Sequence, residues 1–104
     1  MGFEQYHEPA AELSQQTRTF ARMITSLCEE AEAIGWYEQR ISIEKDRTAK
    51  SIMVDAQKEE FKHFAMDLEF LLRKKKIWKT VAVNILFKKG SITDNAEKAE
   101  KKVD

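Results

Sequence analysis

Glu59-Glu60-Phe61-Lys62-His63 is the stretch on which the reading of this chain turns. Glu60 and His63 form a Glu-x-x-His pair. On a helix, positions three apart lie on nearly the same face, one turn from each other. A carboxylate and an imidazole then point the same way, at a spacing that suits a shared metal. About thirty residues earlier the chain reads Cys28-Glu29-Glu30-Ala31-Glu32. A lone Glu from each of two helices and a Glu-x-x-His from each of two others is the donor set of di-metal carboxylate bundles. This chain has one candidate for each, which is half of such a site.

The earlier stretch sits in a helix predicted from about Pro9 to about Ile43. Phe20, Met23, Ile24, Leu27, Ala31, Ile34 and Ile41 recur at spacings of three and four. Glu30 falls inside that apolar stripe, between Leu27 and Ile34, with Tyr37 further along the same line. A buried carboxylate costs several kcal/mol unless it is paired, protonated or metal-bound. The bland alternative is a salt bridge, but no basic residue shares the stripe nearby. Glu29, Glu32 and Trp36 form a second line on the opposite face. Two acids one turn apart are ordinarily a solvated face. A Trp beside them offers a large apolar area to water, which points to a second protein contact. The acids also suit a weak, transient cation site.

A turn is expected between Ser42 and Arg47, with Asp46 capping a second helix and Ala49 at its N3 position. That helix should run from about Arg47 to about Arg73. Its apolar residues cover more than half the circumference, more than one partner helix can bury. Glu60, His63 and Asp67 project from this apolar arc. A lone His there would ordinarily be a core residue bonded to a carbonyl. With Glu60 one turn before and Asp67 one turn after, ligation is the better reading. Asp67 is expected as an outer acceptor for the imidazole N–H.

The flanking segments carry less. Residues 1 to 9 read as irregular, with Pro9 at a helix N1 position and His7-Glu8 on a mobile end. Arg73-Lys74-Lys75-Lys76 complements the C-terminal end of the second helix dipole. Beside Trp78 it is only a faint nucleic-acid signal. Ile77 to Phe87 reads as a third, short helix ending before Gly90, although Val81-Ala82-Val83 also suits a strand. Residues 91 to 104 are polar and charged and read as a flexible tail, leaving residues 1 to 90 as the helical domain.

Composition sets the outer bounds. The chain has 104 residues, with 18 acidic and 18 basic side chains and no formal net charge. One small domain is expected, with no global pull toward nucleic acid or an anionic membrane. Cys28 stands alone, which rules out a thiolate cluster or an intrachain disulfide and fits a reducing cytosol. No apolar run reaches membrane-spanning length, and no signal pattern opens the chain. Met1-Gly2 begins a myristoylation motif, but Tyr6 stands where Ser or Thr is required.

Two long helices and a short one cannot close a four-helix bundle. The economical solution is all-α: an antiparallel helical hairpin that pairs with a second copy about a two-fold axis. Pairing brings together two Glu30, two Glu60 and two His63. Four carboxylates then balance two divalent cations. Without metal the acids repel one another. Carboxylate–imidazole donors without sulfur favour iron or manganese, with zinc as a competitor.

The runs Glu29–Arg40 and Glu59–Glu69 resemble the encapsulated ferritins, ferritin-like cargo proteins of encapsulin nanocompartments. The resemblance extends over roughly residues 6 to 93, taking in His7-Glu8-Pro9 and Trp78, Leu86-Phe87, Gly90 and Ile92-Thr93. It implies dimers assembled into an annular decamer that oxidises Fe(II) at a di-iron centre in the dimer interface. It implies Glu30, Glu60 and His63 as ligands, Tyr37 as the nearby interface tyrosine, and Glu29 and Glu32 with Trp36 as a metal-access site. It also implies residence in the cytoplasm inside an encapsulin shell, which holds the mineral. The family commonly ends in a shell-targeting peptide of small and apolar residues, whereas Lys101-Lys102-Val103-Asp104 does not read as one. Two other functions fit the same donors: a di-iron or di-manganese peroxidase, and a non-enzymatic helical assembly with zinc or calcium as structural glue.

Overall fold

The computed structural model describes residues 4–104. The opening Met1-Gly2 of the myristoylation reading lies outside them. The described residues form a 3₁₀ turn over Ala10–Glu12 and four helices: α1 over Gln15–Ile43, α2 over Arg47–Lys74, α3 over Lys76–Val83 and α4 over Ile92–Lys101. No strand occurs among them.

The first helix starts later than its periodicity suggests. Leu13 is extended, and Ser14 caps α1 by accepting a hydrogen bond from the Thr17 N–H at 3.1 Å. Pro9 instead precedes the 3₁₀ turn. The cap of α2 falls where expected, with Asp46 Oδ1 accepting from the Ala49 N–H at 2.9 Å. Only Glu44, Lys45 and Asp46 separate the two long helices. The Glu44 carboxylate closes this link by accepting from the Asp46 N–H at 3.0 Å.

The chain divides into two compact units, one ending at Leu71 and one from Leu72 to Asp104. In the first, Gln57 ties the long helices together. Its side-chain amide donates to the Ile34 carbonyl at 3.2 Å and to Glu38 Oε1 at 3.0 Å. In the second, α3 ends at Val83, four residues short of the expected limit. The turn after it carries Phe87 in the left-handed region at φ 61° and Gly90 at φ 94°.

The segment expected as a flexible tail is helical. Ser91 caps α4 by accepting from the Asp94 N–H at 3.2 Å. Asp94 lies in the first turn and Lys98 and Lys101 in the last, both favourable to the helix dipole. Ala99 of this helix is fully buried.

Very little else is. Among the described residues, Leu71, Leu72 and Ala99 are the buried apolar side chains and Gln57 the buried polar one. No residue of α1 is buried, while Ile52, Phe61, Met66 and Ile77 are more than half or about half exposed. Burying one such side chain is worth about 1.5–3 kcal/mol. Ordering the chain costs about 1–2 kcal/mol per residue in backbone entropy alone. A core of three apolar residues does not offset that cost, so the exposed apolar faces require a partner surface.

Candidate metal centre

Glu30 comes from the middle of α1, and Glu60, His63 and Asp67 from successive turns of α2. The Gln57 bond sets the register. Ile34 is one turn beyond Glu30 and Gln57 is one turn before Glu60, so tying them places Glu30 opposite the Glu60–His63 stretch of α2.

His63 Nδ1 lies 2.8 Å from Glu60 Oε1. An ionised carboxylate only accepts, so this contact has the imidazole donating its proton to Glu60. The two expected ligand atoms thus converge, with a proton between them. Metal held at these facing atoms requires that proton to leave Nδ1, the neutral imidazole then carrying its N–H on Nε2. His63 Nε2 is 3.9 Å from Glu59 Oε2, at the edge of interaction. Glu59 is itself held by Lys62 at 2.8 Å, which draws its carboxyl below the usual range. Both partners are exposed, so this pair contributes little to stability.

Glu30 is perturbed in the other direction. Burial, followed by the neighbouring Asp67 and Glu60 carboxyls, raises its pKa from 4.5 to about 7, with His63 opposing the shift. Glu30 Oε1 and Asp67 Oδ2 are buried acceptors without a hydrogen-bond donor. Two carboxyls can bond to each other only when one carries a proton, and the raised Glu30 supplies it near neutrality. No Lys or Arg is among the causes of this shift, which speaks against the salt-bridge reading of Glu30. The expected role of Asp67 is corrected as well. It lies against Glu30 across the helix pair, while His63 turns Nδ1 to Glu60.

The shift has a consequence for stability. Glu30 is raised relative to its ordinary value, so its contribution is complete below pH 4.5 and lost as pH rises through about 7. Melting curves in a chelator should therefore show metal-free wild type losing stability, relative to Glu30→Gln, between pH 5 and 8. Parallel curves for the two proteins would remove Glu30 as the source.

The remaining predicted residues are placed more loosely. Glu29 is exposed and Glu32 half-buried, so the two acids are not equally open to water as their spacing suggests. Trp36 is 50 % exposed. Tyr37 is half-buried, with the Arg40 guanidinium 5.6 Å from its ring centroid. The opposite-face line and the Glu30 line thus differ in burial, though by less than a strict inside–outside division.

Within one chain, no group of three or more His, Cys, Asp or Glu side chains among the described residues is arranged to hold a metal ion. The cluster nevertheless fits a hard or borderline cation. Its donors are carboxylate oxygens and an imidazole nitrogen, and two of those oxygens are buried with no donor to satisfy them.

Comparison with known proteins gives the same grouping. The profile of the EncFtn-like family matches residues 5–89. A "Ferritin-like protein" of Thermotoga maritima is 42 % identical over 94 residues, covering 90 % of this chain and 82 % of that protein. An "Encapsulated ferritin-like protein" of Rhodospirillum rubrum is 38 % identical over 87 residues, covering 84 % of this chain and 62 % of that protein. The crystal structure of a Nitrosomonas europaea protein superposes with a TM-score of 0.82 at 38 % identity, covering 86 % of this chain and 98 % of that one. With a family match spanning most of its length, two relatives named for ferritin and the same helical architecture, the chain belongs to the EncFtn-like family.

Proposed function

We propose that this protein is a ferroxidase, oxidising Fe(II) to Fe(III) at a di-iron centre built from Glu30, Glu60 and His63 of two copies. The observation that carries the reading is the pair of buried, donor-less carboxylate oxygens on Glu30 and Asp67 beside the Glu60–His63 pair. Buried acceptors without partners are rare in folded proteins and call for a proton or a cation. One chain supplies half the expected donors, and its apolar faces lack a partner. A two-fold pairing meets both needs.

In this reading each Fe(II) gives up one electron, and two together reduce dioxygen to the peroxide level. The protein's part is geometry and charge. Glu30 and Glu60 hold the metals and offset their positive charge, Asp67 lies beside Glu30 as an outer carboxylate, and Tyr37 stands one further turn-pair along α1. The paired copies form an annular decamer, feed iron to storage and work inside an encapsulin shell in the cytoplasm. The name of the Rhodospirillum rubrum relative and the family match support the shell association. No helix of the described residues is long and apolar enough to cross a membrane.

Aerobic titration of purified protein with Fe(II) tests the activity. A catalysed rise in ferric absorbance, saturating near one iron per chain in its fast phase, is expected. No acceleration over the protein-free control would leave zinc or calcium as structural glue. A hydrogen peroxide-dependent rise without one in oxygen would favour the peroxidase.

Glu29 and Glu32 have a separate role, as acids on the access side. The Glu29→Ala, Glu32→Ala double variant should slow iron oxidation several-fold and leave the centre occupied. Crystals of the iron-soaked variant check this, and an empty centre would reject the division of roles.

A further inference from the structure

Asp67 is the acid that the donor set leaves over. It stands one turn after His63 and two turns after Glu60, on the same face of α2. Its Oδ2 is buried without a hydrogen-bond donor, as is Glu30 Oε1 on the facing helix. After burial itself, Asp67 is the next cause of the raised Glu30 pKa, ahead of Glu60. Neither Lys nor Arg is among those causes, so no fixed cation offsets the Asp67 carboxyl at Glu30. A carboxyl placed in this way costs free energy in the empty protein. An Asn of the same shape avoids that cost, since its amide can donate to the Glu30 carboxylate. Asp in place of Asn adds one thing, a negative charge beside a metal ligand.

That charge has a use in the reaction. Glu30 and Glu60 of two copies bring four negative charges, equal to the positive charge of two Fe(II). Counting Asp67 of both copies makes six, equal to that of two Fe(III). A fixed negative charge attracts a trivalent ion about half again as strongly as a divalent one at the same distance, and burial weakens the screening by water. We propose that Asp67 is a positioning charge that acts through Glu30 to favour the ferric over the ferrous state of the centre. The inference rests on the ferroxidase reading above. In that reaction two Fe(II) lose one electron each, and dioxygen takes both electrons with two protons from water to leave hydrogen peroxide. Asp67 is itself unchanged. Its charge makes each electron easier to lose and holds the Fe(III) product more firmly against Glu30.

A mediated, anaerobic redox titration of the iron-loaded full chain, followed by ferric absorbance, tests the proposal. Wild type is compared with Asp67→Asn, which removes the charge, and Asp67→Glu, which keeps it. Asp67→Asn should retain its iron and show a midpoint potential shifted upward. Asp67→Glu should lie near wild type. Competition with a ferric chelator gives a second reading, in which Asp67→Asn should hold Fe(III) about 10-fold less tightly, the size of effect typical of losing an outer partner. Its affinity for Zn(II), a divalent ion that cannot be oxidised, should change less. A merely structural Asp67 would alter melting and metal content but not the midpoint. An unchanged midpoint in Asp67→Asn, or equal losses of Fe(III) and Zn(II) affinity, would overturn the proposal while leaving the di-iron centre standing. Wild-type protein that takes up no iron would defeat the ferroxidase reading itself, and this inference with it.

Discussion

Replacing Glu60 or His63 by alanine should lower the rate of Fe(II) oxidation by more than about 100-fold. Losing an outer partner of a metal ligand typically costs 10–100-fold, and losing a ligand costs more. In the proposed two-fold arrangement each substitution removes two donors from one shared site. Glu60 and His63 are also each other's partners at 2.8 Å, so removing either frees the other to turn away. Both are partly exposed surface positions of α2, and neither change opens a cavity in a packed core. Helix content by circular dichroism should therefore stay near wild type. Stopped-flow absorbance at the ferric band reads the rate. Oxidation at the wild-type rate in either variant would mean that iron is handled elsewhere.

The second large effect is on assembly. Stripping divalent metal should shift the protein toward monomers and weakly held dimers, and Fe(II) under anaerobic conditions should restore larger species. Metal at about 100 times its Kd adds about 2.7 kcal/mol to whichever state binds it. That corresponds to about a 100-fold change in the association constant. The exposed apolar faces still favour pairing, so the chelated dimer should reappear at higher concentration. Below about pH 7 the Glu30 proton competes with metal, and the same shift should need more Fe(II) there. Trp36→Ala should independently reduce the larger species, because Trp36 offers half its surface to water and its spacing puts it on the other side of α1 from Glu30. Light scattering after size exclusion measures all of these. An apo protein that already forms a metal-insensitive ring would sever assembly from metal binding.

Much of this was legible in the residues. The three-four spacing of apolar positions separates Glu30 from Glu29, and the Glu-x-x-His spacing selects Glu60 and His63. Each is a property of one helix read by itself. What periodicity could not supply is the register between helices. Asp67 is one turn from His63 along α2, so it reads as the imidazole's partner. Only the alignment of α1 and α2 puts it against Glu30. Gln57 fixes that alignment, and a lone Gln on a helix looks like surface until its two acceptors on α1 are known. The α4 helix escapes the periodicity for a different reason. Its residues lack the apolar stripe that announces most helices, but Ser91-x-x-Asp94 is a capping signature that could have marked its start. The early end of α3 follows from the turn at Asn84 to Phe87, whose left-handed Phe carries no compositional warning.

We propose that one metal centre is completed by two copies of this chain. Anomalous diffraction at the iron edge, from crystals grown anaerobically with Fe(II), measures it directly. Two iron atoms should lie on either side of a two-fold axis, ligated by Glu30, Glu60 and His63 from both copies. Iron held by the side chains of a single copy, or found away from these three residues, would contradict the account.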